Sequence, residues 1–136
     1  MRLEAAYRRS LYCAGPVAAR PGRRSASADA WLAAHGLRAG AILTAWNPGS
    51  RRHPRGWNEA RQRKLAAAAR RLPCAEGWSG LGGWWEHTLL LGADPRRVAV
   101  LARRFRQRAV LLLRRGRPAV LAYAPSFVSK CAFTAR

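Results

Sequence analysis

The clearest feature in the pattern of apolar and polar positions is a run without alternation, Ala41 to Trp46, that passes directly into Asn47-Pro48-Gly49-Ser50. A strand with no polar face is one buried on both sides, so this run predicts a central β-strand. Pro48 presets its own φ near −65°, and Gly49 can take the positive φ that the third position of a type II turn requires. The spacing elsewhere is helical. Leu3, Ala6, Tyr7 and Leu11 predict a first short helix. Ala28, Trp31, Leu32 and His35 predict a second, capped by Ser25 or Ser27 and ended by Gly36. Asn58 reads as the N-cap of a third helix, with Glu59 in its first turn, an apolar stripe of Leu65, Ala68, Ala69 and Leu72, and Pro73 as its stop. Its opposite face carries Arg61, Gln62, Arg63, Lys64, Arg70 and Arg71. Asp94 and Pro95 open a fourth, in which Val98, Leu101, Ala102 and Phe105 follow the i, i+3, i+4, i+7 rule.

Between these lie further strands. Trp84 to Leu91 reads as one, with the single carboxylate of Glu86 inside it, and Ala109 to Leu113 with Ala119 to Tyr123 form a hairpin around Arg114-Arg115-Gly116-Arg117. Val17 to Ala19 reads as a short edge strand in a stretch, Tyr12 to Arg24, otherwise broken by Gly15, Pro16, Pro21 and Gly22. Gly77, Gly80, Gly82 and Gly83 with Trp78 read as a flexible connector. The expectation is a single two-layer α+β domain over residues 1–123, with a mixed sheet, helices mainly on one face and a C-terminal hairpin. Residues 124–136 are expected to be a loosely attached tail.

Composition changes this picture in one respect. At 136 residues with 49% hydrophobic content, the chain can bury one core and is not a disordered polymer. Yet 26 Lys and Arg stand against 6 Asp and Glu, for a net charge of +20 and a pI near 11.9. Only Lys64 and Lys130 are lysine. A GC-rich genome accounts for Arg in place of Lys but not for so few carboxylates. A field of that sign attracts phosphate polymers and anionic surfaces. Cys13, Cys74 and Cys131 are odd in number and lack Cys-x-x-Cys spacing, which predicts free thiols in a reducing cytosol. No apolar run nears the roughly 18 residues that span a bilayer, so no membrane role is expected.

Several blocks together resemble a known family. They are Leu43-Thr44-Ala45-Trp46-Asn47-Pro48-x-Ser50, Asn58-x-x-Arg61-x-x-x-Leu65, Trp84-x-Glu86, and Leu101-Ala102-x-x-Phe105-x-Gln107-x-Ala109. With Ala6-Tyr7-Arg8 and Tyr12, they resemble the bacterial domain of unknown function 3293. The resemblance runs from about residue 3 to 122, and the Thr-Ala-Trp-Asn-Pro block with Asn-x-x-Arg is its specific part. It implies a small cytoplasmic bacterial protein and no assigned activity. Two departures stand out: Cys13 to Arg24 lacks a clear strand where relatives have one, and the C-terminal tail has no counterpart.

Two constellations compete for function. The first is electrostatic: Arg51, Arg52 and Arg55 in the loop after the turn, with Arg114, Arg115 and Arg117 at the hairpin tip, are candidate phosphate contacts. Trp57 and Trp78 are candidate stacking planes, and six Trp exceed what so small a core needs. It predicts a non-enzymatic binding domain whose partner is nucleic acid or another polyanion. The second is a polar pocket at the exit of the Thr44 strand, formed by Thr44, Asn47, Ser50, Asn58, Arg61 and Glu86. A half-buried Glu needs a partner, and Arg61 is the natural candidate. This pocket would hold a small ligand or perform acid–base chemistry through Glu86. Equally, the same groups could be a structural lock, with the Asn side chains holding the loop and the ion pair fixing the fold. No metal-ligand spacing links His53, His87, Cys13 and Cys74, no Gly-x-Ser-x-Gly elbow surrounds Ser50, and no phosphate-binding glycine loop is present, so neither metal nor cofactor is expected.

Overall fold

The computed structural model describes residues 3–123, and the expected tail at 124–136 lies outside them. The central run becomes β3, Ala39–Leu43, in the middle of a five-stranded sheet that also holds β4 (Cys74–Leu81), β5 (Trp84–Gly92), β6 (Ala109–Arg114) and β7 (Val120–Tyr123). Its order is β4-β5-β3-β6-β7. α3 (Arg55–Ala68) connects β3 to β4, and α4 (Pro95–Arg104) connects β5 to β6. The segment β3-α3-β4-β5-α4-β6 is therefore a βαββαβ unit with the strand order of the ferredoxin-like split βαβ arrangement.

That arrangement explains one correction. The interleaving of helices and strands suggested a mixed sheet, but every pairing in the five-stranded sheet is antiparallel. Each helical crossover does join strands that run the same way. It leaves one place between them, and an antiparallel strand fills it: β5 between β3 and β4, and β3 between β5 and β6. The two longest helices gather on one face as expected, but the other face is covered as well, which adds a layer to the expected two. α3 and α4 cover one face, packing Leu65, Ala69, Val98, Leu101 and Phe105 against Ala41, Leu43, Leu89, Leu91, Val110 and Leu112. The other face of the same strands, Ile42, Leu90, Leu111 and Leu113, is covered by α2 (Ala26–Ala34) through Ala28, Trp31 and Leu32. Beside it lie a hairpin of β1 (Tyr12–Ala14) and β2 (Val17–Ala19), and Tyr7 of α1 (Leu3–Arg9). Burial of both sides of β3 is what its missing alternation required.

Three boundaries shift for identifiable reasons. The stretch expected to hold no more than a weak strand forms the β1–β2 hairpin, turning at Gly15 with φ 53°. The glycine-rich connector is instead the edge strand β4. Gly77 is glycine because the hairpin crosses it: a Cβ there would lie 2.5 Å from both Ala14 Cα and Cys13 O. The helix expected to be capped by Asn58 starts four residues earlier, with Pro54 as its N-cap at φ −59°. Asn58 N–H donates to the Pro54 carbonyl at 3.0 Å as an ordinary helical residue, which leaves the Asn58 side chain free to turn inward. Gln62, expected on the solvent face, is 2% exposed and is likewise turned in. α2, by contrast, follows the pattern closely: Ser25 accepts from Ala28 N at 3.1 Å and Gly36 takes φ 66°.

Candidate functional site

The strand ends earlier than the apolar run because side chains take over from the ladder. Past Leu43, the Thr44 hydroxyl donates to the His87 carbonyl at 2.5 Å and accepts from Trp46 N at 3.0 Å, while Gln62 Oε1 accepts from Ala45 N at 2.8 Å. The Asn-Pro corner follows. Asn47, Gly49 and Ser50 all have positive φ, of 47°, 68° and 62°, and the turn is closed by Ser50 N donating to the Asn47 carbonyl at 2.9 Å. Two of the three are not glycine, so the corner carries backbone strain that its surroundings must offset. They do so through Asn58. Its Oδ1 accepts from Asn47 N at 2.9 Å, and its Nδ2 donates to Asn47 Oδ1 at 2.9 Å and to the His53 carbonyl at 3.1 Å. Asn47 Oδ1 also accepts from His53 N at 2.9 Å. A further tie joins Gly49 N to the Arg106 carbonyl at 2.8 Å, and Gln107 Nε2 donates to the Trp46 carbonyl at 3.1 Å. The structural part of the sequence reading, Asn side chains holding the loop backbone, is what the geometry contains.

Glu86 meets this corner, but not through Arg61. Glu86 Oε2 accepts from Asn47 Nδ2 at 2.6 Å and from Trp84 Nε1 at 3.2 Å. Side chains alternate along β5, and Glu86 shares the face of Thr88 and Leu90, whereas Arg61 sits on α3 across the sheet. Its guanidinium lies 5.6 Å from the Trp57 ring centroid and 5.1 Å from that of Phe105, with Nε buried and unbonded. The expected ion pair is thus replaced by an amide–carboxylate contact and a cation–π sandwich. An α3 side chain would have to pass through the sheet to reach Glu86. Burial pushes the Glu86 carboxyl above the ordinary glutamate value of 4.5, against the opposing pull of its two hydrogen bonds and of nearby Arg52.

A raised pKa means the neutral form is favoured by folding, so this residue's contribution to stability is complete below pH 4.5 and is lost as pH rises through the folded value. Glu86→Gln removes that loss while keeping an acceptor for Asn47. The melting temperature of Glu86→Gln, measured against wild type from pH 4 to 8, is expected to match at the acid end and to exceed it increasingly toward neutral pH. A difference that stays constant with pH contradicts the assignment.

Two concavities flank this wall. On the Glu86 side, a cavity of about 570 Å³ lies between α1 and the sheet, lined by Tyr7, Tyr12, Thr44, Asn47, Ser50, Trp84, Glu86, Thr88 and Gln107 among others. The Tyr7 hydroxyl is hydrogen-bonded to Ser50 Oγ, and Tyr12 OH donates to the Tyr7 carbonyl at 3.0 Å. Burial raises the pKa of both phenols, so both are neutral. On the other side, a groove of about 280 Å³ is lined by Trp46, Arg52, His53, Arg55, Trp78, Trp84 and Trp85 with Asn47 and Asn58 at its base. In this groove Trp78, Trp84 and Trp85 are 40–45% exposed, and Trp57, next to it, is 43% exposed. The Arg52 guanidinium lies 4.2 Å over the Trp84 ring and that of Arg55 5.9 Å from Trp78. His53 stacks on Trp57 at 4.3 Å, and Trp78 on His87 at 5.1 Å.

The candidate residues therefore divide. Thr44, Asn47, Ser50 and Glu86 meet at the cavity, Asn58 supports it from behind, and Arg61 stands apart. Arg52 and Arg55 line the groove, and Arg51 is exposed in the same loop. Arg114, Arg115 and Arg117 are at the opposite end of the sheet, since Arg114 pairs with Ala39 at the start of β3, and the Arg115 backbone bonds to Arg38. Sequence reasoning missed Tyr7, Tyr12, Trp84 and Trp85 as site residues. The excess of Trp was the available signal for the last two. No group of three His, Cys, Asp or Glu is gathered as for a metal ion among the described residues, and no helix there is long and apolar enough to cross a membrane.

The fold and its corner define an α+β domain organised around a split βαβ core. The family model described as Protein of unknown function (DUF3293) matches residues 43–110, half of the chain, and the protein belongs to that family. No curated protein and no solved structure matches it. The matched span holds the whole Asn47–Asn58–Glu86 wall and the groove, whereas Tyr7 and Tyr12 precede it.

Proposed function

We propose that this protein binds single-stranded nucleic acid along the Trp- and Arg-lined groove beside the Asn-Pro corner. The observation that carries the reading is the grouping of exposed Trp78, Trp84 and Trp85 with Arg52, Arg55 and His53 along one groove, with exposed Trp57 stacked on His53 beside it, in a chain with net charge +20. Four large aromatic rings at 40–45% exposure cost free energy in water and add little to the core, so a surface that stacks on something accounts for them better than packing does. Unpaired bases offer such a partner, because every base has a π-face and the strand's phosphates meet the interleaved guanidinium groups. A duplex hides its base faces and offers the groove only phosphates.

The test is a salt titration of binding to a labelled oligothymidylate and to a duplex of the same length. The single strand is expected to bind more tightly at every salt concentration. Arg52→Ala is expected to reduce the slope of log K against log salt by about one for the single strand. Replacing Arg114, Arg115 and Arg117 together by Ala, at the far end of the sheet, should leave single-strand preference intact. Equal affinity for duplex and single strand would mean that charge alone is at work.

A further inference from the structure

The cavity on the other side of the Asn47–Trp84 wall has a different chemistry. Its walls are mostly apolar, from Leu3, Ala6, Ile42, Leu43, Leu81 and Ala109. Its volume of about 570 Å³ falls in the range of small-molecule sites, roughly 300–1,000 Å³. Most of its hydroxyls are already committed: Thr88 Oγ1 donates to the Cys13 carbonyl at 2.8 Å and lies 3.0 Å from Ser79 Oγ, and Thr44 is tied to His87. Glu86 is the exception. Both hydrogen bonds described for its carboxylate fall on Oε2, and Oε1 has no partner among the described residues. In a chain with 26 basic residues, none of the described lining residues is Lys or Arg, and Glu86 is the acid among them.

We propose that this cavity binds a small molecule with an apolar body and an amino or amidine-type head, the head donating N–H groups to Glu86 Oε1. An anionic ligand would meet a carboxylate and no cation among the described lining residues. A purely apolar one would bury that carboxylate without a donor, at a cost in desolvation. An N–H-bearing head satisfies it with a charge-assisted hydrogen bond, while Tyr7 and Tyr12 line the same cavity and can cover the apolar body. The site shares the Asn47–Trp84 wall with the groove but is read by its own probe.

The experiment uses the full chain and 2-aminobenzimidazole, whose ring and adjacent N–H groups supply both features, with benzimidazole, which lacks the exocyclic amine, as comparator. Calorimetry or ligand-observed NMR should show saturable binding of the amine. Benzimidazole and the Glu86→Gln protein should each bind about tenfold or more weakly, the range expected for losing a hydrogen bond to a charged group. Ala6→Phe, which fills the cavity from α1, should abolish binding while far-UV circular dichroism stays unchanged. No saturable binding to wild type, or equal binding of the two probes, overturns the proposal. The probe comparison needs no variant, so it decides the matter even if Glu86→Gln or Ala6→Phe fails to fold.

Discussion

Asn58→Ala is expected to lower stability by about 3 kcal/mol, seen as a fall in melting temperature of about 10 °C. The side chain is 2% exposed and makes three hydrogen bonds, each to a group at the strained corner or to the loop that follows it. Its removal leaves the Asn47 N–H buried without an acceptor, and it is that orphaned donor, more than the lost bonds themselves, that sets the magnitude. The left-handed conformations of Asn47 and Ser50 lose their support at the same moment. Asn58→Asp separates these effects. It keeps the acceptor for Asn47 N but turns the donor toward Asn47 Oδ1 and the His53 carbonyl into a second acceptor, so it should be destabilised at neutral pH and partly recover in acid. Thermal melts of the two variants across pH check this. A loss below 1 kcal/mol for Asn58→Ala would mean that the corner is held chiefly by Gly49 and Arg106.

The largest effect on binding is expected from removing stacking planes. Trp78→Ala with Trp84→Ala should weaken single-strand affinity by about 100-fold, since base–aromatic stacking contributes on the order of 1–3 kcal/mol per base. The two rings line the same groove, Trp84 beneath the Arg52 guanidinium and Trp78 beside that of Arg55, and both guanidinium groups remain in the double variant to meet phosphates. Trp78 also packs edge-on against buried Trp46 at 5.2 Å, so its removal costs some stability as well. The melting temperature of the double variant must therefore be measured beside its affinity. Gel retardation or fluorescence anisotropy with an oligothymidylate reads the binding.

Much of the architecture was written in local pattern, and what was not depended on contacts far apart in sequence. The continuous apolar run placed β3 at the centre of the sheet, and the capping residues of α2 and α4 stood where side-chain chemistry requires them. β4 was illegible because Gly77 is dictated by a hairpin some sixty residues earlier crossing it, and a glycine excused by tertiary contact looks the same as one that makes a turn. The start of α3 was misplaced because an Asn before an apolar stripe usually caps, while this one is turned inward to support a corner.

At the site, Thr44, Asn47, Ser50 and Glu86 line one cavity, since the strand and the corner fix them locally. Arg61 was assigned to Glu86 by charge alone. Which face of the sheet α3 covers, and hence which side chains it can reach, is set by the crossover and cannot be read from spacing. The Arg residues at the hairpin tip were grouped with those of the loop for the same reason, although the two sets sit at opposite ends of β3.

In the proposed function, stacking and not charge alone holds the strand in the groove. Affinity for an oligothymidylate should be measured for wild type and the Trp78→Ala, Trp84→Ala double variant across a range of salt concentrations. The predicted result is a large loss of affinity at every salt concentration with nearly the same salt slope, because rings have been removed and phosphate contacts have not. Unchanged affinity in a folded double variant would contradict it.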